Sequence, residues 1–254
     1  MSIASGTSGG YVARRPYAQP PIQEALFQVV FAERLPWNVA TPGRLFNEIS
    51  DIDGGDPEDQ RQISASLEPE GGGGGTSFAL NQGESRTIFR SADRSRFVIA
   101  NPSYLTVGSN PPYDGWPSLS ARLEWLLDRA QKLWELPKIS LVSIRYINQI
   151  IIPSGQVNTD DYFTYPIRTA CSGSASLTGF VHRIESIIIP DTSIRTTFAT
   201  MPEMGGGLPF LLDLEFLRPM DPGRSAIDIG NELKNLENIE FESFLTDKAR
   251  ELFR

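Results

Sequence analysis

The sequence predicts an α+β fold, antiparallel sheets backed by helices, with two similar strand-rich halves that each carry a long helix. Three observations predict it. Apolar residues alternate with period two in many short stretches. Most of those stretches are joined by short turns, which forces antiparallel pairing. The order strand, helix, strands, long helix, strands, helices runs through the same kinds of element twice, over 20–137 and 138–254, within one domain that starts at residue 20.

Residues 1–19 are rich in Ser, Gly and Ala without periodicity and read as a disordered leader. Pro20-Pro21 opens the ordered part, and Ile22 to Phe31 is apolar on much of both faces, as in a buried strand. Thr41-Pro42 reads as a capped helix start, followed by the apolar face Leu45, Phe46 and Ile49. An acidic turn, Asp51 to Asp59, leads to the alternating strand Ile63, Ala65, Leu67, and the five glycines 71–75 form a loop tip. Phe78 to Leu80, Arg86 to Arg90, Arg96 to Ala100 and Tyr104 to Val107 form a meander, with the first turn at Asn81-Gln82-Gly83.

Leu119, Leu123, Leu126, Leu127, Ala130, Leu133 and Trp134 make the clearest helix, capped by Asp114 or Ser118 and stopped by Pro137. Ile139 to Ile152 has two mostly apolar faces and reads as a central strand. Three more strands follow at Thr178 to Ile189, Ser193 to Ala199 and Phe210 to Leu217. Two apolar helical stripes close the chain, one on Ile229, Leu233 and Leu236, the other from Phe241 to Phe253.

The chain has 254 residues and a formal charge of −8, which disfavours broad binding to a polyanion such as DNA or RNA. Arg86, Arg90, Arg94 and Arg96 form the one local basic cluster, on a single hairpin, and read as a solvated face. Cys171 is the only cysteine, so no intrachain disulfide forms and a cytoplasmic setting is expected. No apolar run is long enough for a membrane span, and no signal-type segment follows Arg14-Arg15.

Several short motifs, in order along the chain from Tyr17, carry a resemblance. They are Pro20-Pro21-Ile22-Gln23-Glu24-Ala25, Pro112-Tyr113 with Trp116, Arg145-Tyr146-Ile147-Asn148, Ile152-Pro153, Asp161-Tyr162, Asp213, and the tail with Phe241, Phe244, Thr246 and Arg250-Glu251-Leu252-Phe253. Together they resemble a sporadically distributed, uncharacterised prokaryotic family of proteins of this length. The resemblance implies a cytoplasmic protein of the kind carried by mobile or defence-type loci, and it supplies no catalytic residue.

The chemistry-bearing residues are few. His182 is the sole histidine, and it alternates with Phe180, Ile184 and Ile188 as a core or interface residue would. One His and one Cys cannot fill a zinc shell, and Asp51, Asp53, Asp56 and Asp59 lack the closing glutamate of a calcium loop. No cofactor is expected, and neither glycine cluster has the lysine of a phosphate loop. Asp213 and Glu215 share one strand face, where they would either hold a divalent ion or pair with Arg145. Tyr113 and Trp116 flank Asp114-Gly115, either to stack on a ligand or to seat the long helix. Asn148 on the central strand is a further binding candidate.

Three readings follow. The first is a non-enzymatic interaction or accessory protein with a protein partner. The second is a metal-dependent phosphodiester-cleaving enzyme acting through Asp213 and Glu215. The third is a small-ligand sensor with a pocket between sheet and helix.

Overall fold

The computed structural model describes residues 17–51, 57–69, 76–153, 158–166, 179–189, 191–202 and 206–254. The glycine loop 71–75, Cys171 and Asp53 and Asp56 of the acidic turn lie outside them, as do residues 1–16 of the leader. Tyr17 to Gln19 are placed: Tyr17 packs edge-on against Phe253, and the Gln19 amide donates to the Phe253 carbonyl. Residues 17–19 of the expected leader are thus held against the C-terminal segment.

Among the described residues, nine strands form one antiparallel sheet rather than separate sheets. They are β1 (Ile22–Phe31), β2 (Glu58–Pro69), β3 (Thr76–Arg90), β4 (Arg96–Asn101), β5 (Tyr104–Ser109), β6 (Ile139–Pro153), β7 (Val181–Ile189), β8 (Thr192–Thr200) and β9 (Gly207–Pro219). The order across the sheet is β2-β3-β4-β5-β1-β6-β9-β8-β7. Helices α1 (Thr41–Ile49), α2 (Trp116–Gln131), α3 (Ala226–Phe244) and α4 (Asp247–Glu251) complete the chain. No helix among the described residues is long and apolar enough to cross a membrane.

The two halves are related by an approximate twofold axis between β1 and β6. It exchanges β1 with β6, β5 with β9, β4 with β8, β3 with β7 and α2 with α3; β2 has no counterpart. The match extends to irregularities. The β1–β6 ladder shifts register once at each end, between Ile22 and Glu24 and between Val30 and Phe31. Beyond each shift the backbone closes in the same way, Gln149 N–H to the Pro21 carbonyl and Ala32 N–H to the Lys138 carbonyl, both at 2.8 Å. Ile22 and Ile139 are therefore equivalent positions, as are Phe31 and Asn148.

Helices α2 and α3 pack on one face of the sheet, over β1 and β5 and over β6 and β9 respectively. Ala25, Phe27 and Val29 of β1 and Val142, Ile144 and Tyr146 of β6 project into that core and are fully buried. Leu119, Leu123, Leu126 and Ala130 of α2 meet them, as the helical spacing predicts. Phe27 sits at the centre, 4.8 Å from the Trp116 ring and against Gly230 of α3. The buried side chain of Arg122 ties α2 to the sheet through the Gly108 and Phe97 carbonyls.

Four local expectations are corrected. Asn81-Gln82-Gly83 is not a turn, because β3 runs unbroken past it. The ladder with β2 instead absorbs an extra β3 residue there as a bulge, a place where glycine fits. Thr41 is the first residue of α1 rather than its cap, and its hydroxyl accepts from the Asn38 amide. Neither Asp114 nor Ser118 caps α2: Gly115, at φ 94°, turns the chain and a proline in the first turn starts the helix, which ends at Gln131 with Leu133 and Trp134 in the following turn. The last two stripes divide elsewhere, since α3 continues through Phe241 to Phe244.

Gly230 gives a test whose sign is opposite to helix propensity. Alanine for glycine inside a helix ordinarily stabilises by about 1 kcal/mol. Here a Cβ would stand 2.3 Å from the Phe27 ring. Gly230→Ala is expected to lose about 1 to 3 kcal/mol in urea unfolding, and Phe27→Leu in the same chain is expected to return part of it.

Candidate functional site

The candidate residues separate onto the two faces of the sheet. Arg145, Asp213 and Glu215 lie on the face away from the helices. Tyr113, Trp116 and Asn148 gather on the helix side. They do not form one site, because neighbouring positions on a strand point to opposite faces.

On the open face Arg145 stands opposite Glu215 in the β6–β9 register, yet it bonds the diagonal neighbour Asp213 with both arms of its guanidinium, at 2.8 and 2.6 Å. Glu215 instead accepts from Arg195 of β8 at 3.3 Å. Arg195 also reaches Glu185 of β7, which Arg183 bonds in turn. Charges of alternating sign thus run across four strands. Among the described residues no group of three or more His, Cys, Asp or Glu is placed to hold a metal ion. The hairpin arginines are likewise engaged: Arg90 and Arg94 pair with Glu58, and Arg86 bonds Gln60. The other half of this face is apolar, with Ile88, Phe97 and Ile99 flanked by Leu26 and Tyr104.

On the helix side lies a cleft of about 540 Å³. Its walls come from both halves: Tyr17 to Ile22, the Pro111 to Trp116 loop, Asn148, and α3 from Lys234 to Glu242. Trp116 is itself buried, at 2% exposure, and its indole N–H donates to Asn231 on α3 at 2.7 Å. That bond ties the start of α2 to α3. Tyr113 is more open; its hydroxyl meets that of Tyr146 at 2.8 Å. Asn148 is buried and donates to the Leu212 carbonyl.

Sequence reasoning missed the most unusual pair in this cleft. Lys234 and Glu237 are bonded to each other, with side chains only 8% and 4% exposed. The Lys234 ammonium stands 3.7 Å over the face of the Tyr146 ring, a favourable cation–π position. Their signal was present: Gly230, Leu233, Lys234, Glu237, Phe241 and Phe244 all fall on the buried stripe of α3. Two charges inside an apolar stripe are expected to meet each other. Tyr17 closes the rim by donating to Glu242 at 2.8 Å. Burial first, then the bond to Glu242 and its charge, push its phenol up to about 12.

The twofold relation supplies a second cleft of about 600 Å³ at the opposite end of the β1–β6 ladder. Its lining comes from the equivalent segments, with Pro137 to Ile139, the Met220 to Arg224 loop and α2 at Leu127 and Gln131. Phe31 stands where the first cleft has Asn148. Arg224 there pairs with Glu232 and Asp221, all partly exposed, and among the described residues no buried ion pair lines it. One fold therefore makes two grooves, and one of them carries a buried ion pair.

His182 lies apart from both, with Nδ1 3.3 Å from the Tyr165 hydroxyl and its ring edge-on to Phe180. Ile184 and Ile188 beside it are partly exposed, so its strand is less enclosed than the alternation suggests. No family model matches the chain, and no curated protein matches it.

Two outcomes test the open face. Arg145→Ala strands the Asp213 carboxylate, whose side chain is 12% exposed, but Arg145 itself is 41% exposed. The expected loss is about 1 to 3 kcal/mol by denaturant melts, less than the 3 to 5 of a fully buried pair, with Asp213→Asn in that background recovering much of it. Glu24 has its carboxyl raised by burial, opposed by the charge of Arg145. Its contribution to stability is complete below the unfolded value and is lost as pH rises through the raised folded one. The melting temperature of Glu24→Gln is thus expected to gain on the parent as pH rises across that window.

Proposed function

We propose that this protein works by binding rather than turnover, as a non-enzymatic cytoplasmic accessory or regulatory protein whose polar cleft holds a small amphipathic ligand. The observation that carries this is the Lys234–Glu237 pair lining a cleft of about 540 Å³. A buried ion pair contributes little net stability, because desolvation consumes most of its attraction. Sited in a groove of ligand size, it supplies one donor and one acceptor of opposite charge beside aromatic and proline walls. That combination suits a compact molecule with both a charged or hydrogen-bonding head and an apolar body. The absence of such a pair from the twofold-related cleft supports a role other than folding.

The alternative of metal-dependent phosphodiester cleavage would need Asp213 and Glu215 free to bind a cation. Each already has an arginine partner, at 2.6 and 3.3 Å. Purified protein incubated with Mn²⁺ and DNA or RNA is expected to leave both intact; cleavage lost in a folded Asp213→Asn variant would replace this reading with the enzyme.

The binding reading is tested by exchanging the pair for apolar residues of similar size, Lys234→Met with Glu237→Leu. Thermal stability should be unchanged or higher, by up to about 1 to 4 kcal/mol. Native mass spectrometry of the parent from its host, and melts against amino acids, dipeptides and nucleotides, should show a ligand that the double variant no longer retains. A parent that carries nothing and responds to none of these probes would overturn it.

A further inference from the structure

The two edges of the sheet are built differently. The β2 edge opens on Glu58 and Asp59, charges that resist addition of another strand. The β7 edge has neither proline nor lysine, its one register shift falls at its end between Ile187 and Ile189, and among the described residues no strand lies beyond it. Val181 and Ile187 on its open face are 72% and 75% exposed, and Ile184 on the other face is 42% exposed. An aliphatic edge with a row of unpaired backbone groups is a template for a further strand.

The sequence of β7 is self-complementary about Ile184. A second copy laid antiparallel, with Ile184 facing Ile184, places Val181 opposite Ile187 and Arg183 opposite Glu185, each pairing made twice by symmetry. Directly opposed residues of a continuous antiparallel sheet share a face, so the register can shift only by moving the centre to another residue. Centring on Arg183 or on Glu185 opposes two like charges. Ile184 is the centre that matches apolar with apolar and cation with anion.

We propose that the chain forms a homodimer through β7, joining two sheets into one, with a second copy of itself as the occupant of this edge. The alternating charges of the open face, Asp213–Arg145 and Glu215–Arg195–Glu185–Arg183, then continue into the copy without a break in sign. The partner is identified by this self-matching pattern, which a different protein has no reason to share.

Sedimentation velocity over a dilution series tests it on the full chain. The parent is expected to dimerise reversibly. Arg183→Glu places glutamate opposite glutamate twice and should weaken association by about tenfold. Arg183→Glu with Glu185→Arg should restore it. Ile187→Lys, at an exposed position that leaves the fold intact by circular dichroism, should abolish it. Ile184→Cys in a Cys171→Ser chain should be joined to its copy by a short bismaleimide. A parent that stays monomeric, a dimer indifferent to Arg183→Glu and Ile187→Lys, or a dimer that the residue-184 cross-link does not capture would each overturn the proposal.

Discussion

The ladder between β1 and β6 is the constraint from which the rest of the molecule follows. It joins two halves that would otherwise each end in an uncovered edge, and its Phe27–Ile144 rung lies beneath both long helices. Because the rung is shared, the core is shared. Phe27 reaches up to Trp116 of one half and Gly230 of the other, so α2 and α3 are positioned against the same ring. The register shift at each end of the ladder bends the strands where the turns before α2 and α3 begin. Those bends, together with the helix ends above them, make the two clefts. Neither cleft is an addition to the fold.

Symmetry of that kind separates folding from other demands on sequence. Where both halves obey one rule, as in the apolar inward positions of β1 and β6 or the positive-φ glycines 115 and 223 ahead of the helices, the residues are accounted for by packing and turn geometry. Where the halves differ, geometry alone does not decide. Phe31 and Asn148 occupy equivalent positions, one in a groove lined by the partly exposed Asp221–Arg224 pair and one in a groove with a buried ion pair. Lys234 and Glu237 have no counterpart in the second cleft. The asymmetry isolates the residues whose presence needs a reason beyond the core.

Much of this was legible in the sequence. Strands with two apolar faces, such as Ile139 to Ile152, announce a central position because nothing else buries both faces. Period-two alternation also separated Arg145 from Tyr146, and so anticipated its carboxylate partner. The diagonal choice of Asp213 over the directly opposed Glu215 was not legible, since it depends on Arg195 arriving from β8 to take Glu215. The helix boundaries slipped for a similar reason: Gly115 and Pro117 set the start of α2 by backbone geometry, while Asp114 only had the right side chain. The cleft was hidden because its walls lie far apart in sequence. Tyr113 and Asn148 were visible singly, but only the fold brings them beside Lys234.

The open face shows why a sheet covered on one side does not need a second layer. In the first half, Ile88, Phe97 and Ile99 shelter one another, with the Phe97 ring lying over Gly108 where any larger residue would collide. In the second half, charges of opposite sign occupy the same rows. Each carboxylate there finds an arginine on the next strand, Asp213 on Arg145 and both Glu215 and Glu185 on Arg195. Such a ladder is satisfied along its length but open at its end. Arg183 and Glu185 lie on the last strand, bonded to each other and exposed to whatever approaches the edge. The electrostatic pattern that makes the face self-sufficient therefore also makes its terminal strand selective for a surface of the same pattern.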